Sequence, residues 1–110
     1  GDKEQLMRVF INLIKKGMQS VPDTRQAHIR ITMERVDEAK VQVAVADNGR
    51  GIPEEIRDKL FRPNFTTKSS GMGMGLAITA NIIKAMGGDI RYETESGKGS
   101  TFYVTLPVYQ

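Results

Sequence analysis

Val41-Gln42-Val43-Ala44-Val45-Ala46-Asp47-Asn48-Gly49-Arg50-Gly51-Ile52-Pro53 is the stretch whose reading decides the fold. Its first half alternates with the two-residue period of a strand, and its second half runs from one carboxylate, Asp47, into a loop where Gly49 and Gly51 flank Arg50. A carboxylate at a strand end offers directional acceptors, and glycines let a flat polar ligand approach the backbone. Asn48-Gly49 is also a common hairpin turn, which would make Asp47 merely the end of a strand. A hairpin requires a second strand directly afterwards. Ile52-Pro53-Glu54-Glu55 instead carries the Pro and the acids of a helix start.

Working outward, residues 28–36 alternate well enough to form a strand ahead of the one at 40–47, with Asp37-Glu38-Ala39 as the turn between them. Before it, Asp2 caps a helix with Gln5 three residues on, and Leu6, Val9, Phe10, Leu13, Ile14, Gly17, Met18 and Val21 recur at helical spacing to about Ser20. A second stripe of that helix carries Arg8, Asn12 and Lys16. After the central stretch, a short helix is expected over residues 53–60. Residues 61–75, rich in Gly, Ser, Thr and Pro and without period, read as a long mobile loop of the kind used as a lid. Helical spacing returns over residues 76–86, stopped by Gly87-Gly88, and residues 89–95 and 100–108 form a last hairpin around Ser96-Gly97-Lys98-Gly99.

This order predicts an α/β (α+β) two-layer sandwich: a mixed, mostly antiparallel sheet with about three helices on one face. The other face is expected to be partly wet, through Arg30, Thr32, Glu34, Gln42, Arg91 and Glu93. The length of 110 residues suits a single domain with one core. Cysteine is absent, which excludes disulfides and thiolate metal sites and fits a reducing compartment. No apolar run reaches the roughly 18 to 20 residues of a membrane span. The Gly1-Asp2 start suggests a fragment, whose parent is free to sit in a membrane. The net charge of +3 comes from interspersed acids and bases without interleaved aromatics, so it suits an anionic small ligand better than nucleic acid.

No nucleophile and base pair of the hydrolase kind is visible, and His28, the sole histidine, reads as a surface residue ahead of a strand. What remains is glycine-rich phosphate chemistry. Gly71-x-Gly73-x-Gly75 leads into a helix, whose first N–H groups and dipole favour an anion; taken alone the pattern fits a flexible hinge equally. Lys68 on the same loop reaches a terminal phosphate in the first reading and is a solvated lysine in the second.

Together these pieces are more specific. Asn12, Asp47-Asn48-Gly49-Arg50-Gly51, Phe61-Arg62-Pro63-Asn64-Phe65, Gly71-Met72-Gly73-Met74-Gly75-Leu76 and Gly97-Lys98-Gly99-Ser100-Thr101-Phe102 occur in an order that resembles the N, G1, F, G2 and later glycine boxes of sensor histidine kinases. The resemblance covers essentially the whole chain and points to the ATP-binding catalytic domain, with the Bergerat-type fold shared by gyrase, the Hsp90 chaperones and the MutL proteins. It implies that Asp47 receives the adenine amino group and that Gly51 lets the base lie against the strand end, with Gly49 and Ile52 beside them. It implies that residues 61–73 form an ATP lid anchored by Phe61 and Phe65, that Lys68, Gly71, Gly73, Met74, Gly75 and Leu76 line the phosphates, and that Thr101 holds the adenine end. It further implies a cytoplasmic location, a monomeric fragment, no membrane contact by this domain, and two protein partners: a histidine-bearing dimerisation domain and, downstream, a response regulator.

The chain departs from the family on the first helix. Where the family usually reads Asn-Leu-x-x-Asn-Ala, with the second Asn helping to coordinate Mg²⁺, this chain reads Asn12-Leu13-Ile14-Lys15-Lys16-Gly17. Lysine has no acceptor and cannot ligate a cation, so Asn12 is the one metal candidate left in that motif. Either the Lys16 ammonium stands near the metal position and weakens Mg²⁺ dependence and phosphoryl transfer, or it swings out to solvent and Asn12 with water suffices. Gly17 should cost the helix about 1 kcal/mol. A domain that binds nucleotide with catalysis lost or altered, and a serine kinase of the anti-sigma type, stand as alternatives.

Overall fold

The computed structural model describes residues 2–62 and 72–108. Along α1 (Asp2–Gln19) the three- and four-residue apolar repeat produces one buried stripe through Val9, Leu13 and Gly17. The chain continues through β1 (Ile29–Asp37), β2 (Lys40–Asp47), a 3-10 turn (Glu54–Lys59), α2 (Met72–Ala85), β3 (Asp89–Glu95) and β4 (Gly99–Pro107). The strands form one sheet in the order β1-β2-β4-β3, and all three pairings are antiparallel. The sheet expected to be mixed is therefore antiparallel throughout the described residues: two hairpins join along β2 and β4.

Alternation on β4 sorts the two faces. Ser100, Phe102, Val104 and Leu106 are buried towards the helices, while Thr101, Tyr103 and Thr105 point the other way and are half-buried. Phe102 and Val104 pack with Val9 and Leu13 of α1 and with Leu76 and Ile83 of α2 in one core. The opposite face is polar, as expected. Arg91 lies over the Tyr103 ring at 4.0 Å and donates to Gln42 Oε1 at 3.4 Å, and the Tyr103 hydroxyl donates to Glu93 at 2.7 Å. Beyond Ile29, the helices leave β1 uncovered: Ile31 and Met33, paired opposite Val45 and Val43, are 51% and 72% exposed.

Two differences from the sequence reading concern the segment after β2. The short helix expected over residues 53–60 is a 3-10 helix, Glu54–Lys59, following Pro53 in an extended conformation (φ −57, ψ 139). Helix α2 starts at Met72, four residues before the expected Leu76, so Gly73, Met74 and Gly75 belong to its backbone and not to the loop. Glycine retains the N–H that a helix needs; its conformational cost of about 1 kcal/mol per residue is offset by burial of Leu76, Ala77, Ala80 and Ile83 along the same helix. Lys68, Gly71 and Phe65 lie outside the described residues.

Candidate functional site

The end of β2 projects Asp47 into the space beneath α1. Its carboxylate Oδ1 accepts from the Gly49 N–H at 2.9 Å, from the Ser100 N–H at 3.3 Å and, at 3.2 Å, from the Ser20 hydroxyl, whose single proton is shared with the nearer Gly17 O at 2.7 Å. These donors come from the end of α1, the following loop and β4. One oxygen is thereby fixed from three directions, and every hydrogen bond to the carboxylate among the described residues falls on it. Oδ2 remains as an acceptor, on the side of Gly17, where a Cβ placed at Gly17 would lie 3.5 Å from it. The same Cβ would sit 3.1 Å from Asp47 Cβ and 2.9 Å from Ile29 Cδ1, so Gly17 brings the helix down onto the strand end. The glycine that costs α1 helix propensity thus serves close packing at the site.

The loop after Asp47 is held from both sides. Arg50 N–H donates to Ser20 O at 3.1 Å, and Gly97 N–H donates to Arg50 O at 2.8 Å. Arg25 donates to Gly97 O at 3.2 Å and Gly49 O at 3.4 Å, and Asn48 bridges the His28 N–H and Gln26 O, both at 2.8 Å. Ile52 is buried, and its N–H donates to Thr94 Oγ1 at 2.8 Å. Phe61 closes this end against Tyr92 and Phe102, with ring centroids at 6.1 and 6.3 Å. Both its expected anchoring role and ordinary aromatic packing fit this placement.

Asn12 and Lys16 stand one turn apart on the flank of α1. The Asn12 amide donates to Thr79 Oγ1 at 3.4 Å, a bond that ties α1 to the fully buried Thr79 of α2. Lys16 does not swing out to solvent. It is half-buried, and its ammonium lies 4.8 Å from the Phe102 ring centroid, in cation–π range. Burial pushes the ammonium below its ordinary value of 10.5, and the charge of Asp47 partly restores it.

That shift has a sign for stability. With the folded-state value depressed, protonated Lys16 opposes folding at neutral pH, and the penalty fades as pH rises from the folded-state value to 10.5. Lys16→Met is therefore expected to raise Tm at about pH 7, with an advantage that shrinks towards about pH 10. Melts of the two proteins across that range check this; a Lys16→Met variant less stable at neutral pH contradicts it.

The donor set does not fit Mg²⁺. A magnesium ion takes oxygen ligands, commonly one or two carboxylates beside the substrate phosphates. Lys16 has none, Asn12 offers one amide oxygen while its nitrogen is bonded to Thr79, and no group of three or more His, Cys, Asp or Glu that could hold a metal occurs among the described residues.

Lys16 and Gly17 lie by Asp47, Gly49, Gly51 and Ile52 belong to the loop that follows it, Asn12 bonds to Thr79, and Phe61 and Leu76 pack in or against the core around Phe102. Thr101 does not join their side. The parity of β4 turns its side chain to the open face, among Thr32, Gln42, Ala46 and Tyr103, although it also lines a cleft of about 280 Å³ with Asp47, Ser100, Glu93, Glu95 and Lys98. Ser100 takes the inward place: it is 4% exposed, its N–H reaches Asp47 and its hydroxyl lies 2.9 Å from Thr94 Oγ1. Ser100 and Ser20 are the two residues at the carboxylate that the sequence reading passed over. The signal for Ser100 lay in its two-residue offset from the buried Phe102.

Comparison with known proteins places this geometry. Residues 1–110 match the family described as histidine kinase-, DNA gyrase B-, and HSP90-like ATPases. The chain is 43% identical over 107 residues to Sporulation kinase A of Bacillus subtilis (strain 168), covering 97% of itself but 17% of that protein. Its backbone superposes on the catalytic domain of histidine kinase ThkA in a nucleotide-free form with a TM-score of 0.82 at 35% identity, covering 97% of this chain and 69% of that one. It also matches full-length ShkA in complex with AMPPNP with a TM-score of 0.80 at 27% identity, over 94% of this chain and 21% of that one. A fixed aspartate at a strand end under a long helix, on a backbone shared with histidine kinase catalytic domains, makes this chain a member of the histidine kinase-, gyrase B- and HSP90-like ATPase family.

Proposed function

We propose that the chain is the ATP-binding catalytic domain of a sensor histidine kinase, with the adenine amino group at Asp47 and the polyphosphate running between α1 and the N-terminal end of α2. The observation that carries this reading is the Asp47 carboxylate, held through Oδ1 by Ser20, Gly49 and Ser100 and left with Oδ2 to accept. A preorganised acceptor selects an amino group without reorganising when the ligand arrives. The match to a kinase complexed with AMPPNP supports the same class of ligand.

In this reading Gly49, Gly51 and Ile52 form the wall on which the base lies, Phe61 shields it from water and Leu76 backs it from α2. Gly73, Met74 and Gly75 present the first turn of α2 to the phosphates; Lys68 and Gly71, which the family resemblance assigns to the same phosphates, lie outside the described residues. In the parent protein the γ-phosphate passes to a histidine on a separate helical dimerisation domain and onward to a response regulator, on the cytoplasmic side where ATP is available; the domain alone is a monomer. No helix among the described residues is long and apolar enough to cross a membrane.

A second reading, a nucleotide-binding module without phosphotransfer, is favoured by the half-buried Lys16 where a metal ligand would be needed. Calorimetric titration with ATP tests what both share: a saturable one-site isotherm is expected, and no heat overturns them. Labelled ATP with a histidine-bearing dimerisation domain added in trans separates the two, because acid-labile label on that domain appears only in the first.

A further inference from the structure

We propose that Lys16 acts as a tethered cation, so that this chain binds nucleoside polyphosphates as metal-free anions. The inference rests on the nucleotide-binding reading above and adds to it the charge state of the ligand. A polyphosphate must be neutralised wherever it is held, and a protein does so with a bound cation or with its own side chains. The first route has a single amide oxygen to work with here. Lys16 offers only donors, Asn12 has one amide oxygen left after its bond to Thr79, and no metal-holding cluster of acids or imidazoles occurs among the described residues.

The second route is already in place. The Lys16 ammonium is inside the site, not in solvent, with the face of Phe102 at 4.8 Å and the charge of Asp47 as its compensation. Both are weak substitutes for water. No hydrogen bond to the ammonium is found among the described residues, so its donors are available for phosphate oxygens, to which lysine binds as a point charge. The ammonium also repels a divalent ion brought in with the nucleotide. The four-carbon stem allows the ammonium to move from the ring to an anion without backbone change.

The test is calorimetry of the chain with ATP in Mg²⁺ and in EDTA, with adenosine as the ligand lacking phosphate. ATP affinity in EDTA is expected to equal or exceed that in Mg²⁺. Lys16→Asn is expected to lose at least about tenfold in EDTA, the scale of a hydrogen bond to a charged group, and to keep its adenosine affinity. Lys16→Arg is expected to retain metal-free binding. Wild-type binding that requires Mg²⁺ overturns the proposal, as does a Lys16→Asn variant that is folded by thermal melt and unchanged in EDTA. If ATP and adenosine give no heat in either buffer, the nucleotide reading itself falls, and this proposal with it.

Discussion

Asp47→Asn is expected to weaken ATP binding by at least about tenfold while leaving the fold intact. The substitution is nearly isosteric and preserves Oδ1, so the Gly49 N–H at 2.9 Å, the Ser20 hydroxyl at 3.2 Å and the Ser100 N–H at 3.3 Å keep their acceptor. What changes is the other atom. Oδ2 becomes an NH₂ donor, which faces the ligand's amino group with a donor and removes the negative charge beside Lys16. A hydrogen bond to a charged group contributes about 1.5 to 3 kcal/mol, or about 10- to 150-fold in affinity. Calorimetry with ATP on both proteins, paired with a thermal melt, checks this. Unchanged affinity would remove Asp47 from the site; a collapse in Tm would show that the carboxylate serves the fold instead.

Gly51→Val should cause a large loss of stability, about 3 kcal/mol or more. Gly51 has φ +83, where a β-branched residue is strained, and a Cβ there would lie 2.7 Å from Glu95 O and 3.1 Å from Glu95 C and Ser96 Cα. Those atoms belong to the backbone of the β3–β4 hairpin, which is paired through Glu95 with Gly99 and tied to Arg50 O by the Gly97 N–H, so they have little freedom to yield. Gly97→Ala is the control. Gly97 has a similar φ of +80 and nothing within 4 Å of a built Cβ, so it isolates the backbone strain from the clash. Gly97→Ala should lose about 1 kcal/mol, and Gly51→Val should melt lower by more than about 10 °C. Equal melting temperatures would mean that the contact with Glu95 is not a constraint.

Much of this was legible in the sequence because the informative features are periodic. The two-residue alternation around Val43 and Val45, and again around Phe102 and Val104, placed all four strands to within about a residue of their observed ends. Asp47 could be singled out because a carboxylate ends an apolar alternation just before a glycine loop. Alternation fixes faces as well as elements, and Phe102 facing inward turns Thr101 outward and Ser100 inward. Ser20 had no such signal, since its reach to Asp47 depends on how the end of α1 packs against the end of β2.

Sequence spacing starts α2 late because glycines at 73 and 75 lower helix propensity locally, while the apolar residues that hold the helix follow them. Lys16 shows a further limit. Its residue type announced the departure from the family, yet whether the ammonium pointed in or out was settled by an aromatic ring 86 positions away in sequence, at Phe102. Gly17 read as a local cost to α1, and its compensation, the close approach of helix and strand at Asp47, is a tertiary contact.

The central claim is that nucleotide binds on the helix-covered side of the sheet, between α1, the end of β2 and α2. Amide chemical-shift mapping by NMR during an ATP titration tests it most directly. Shifts concentrated at Gly49, Gly51, Ile52 and Ser100, and at the Asn12 side-chain amide, with Thr32, Gln42 and Tyr103 on the open face unmoved, are the predicted result. Shifts that follow the open face, or that spare the loop after Asp47, would contradict it.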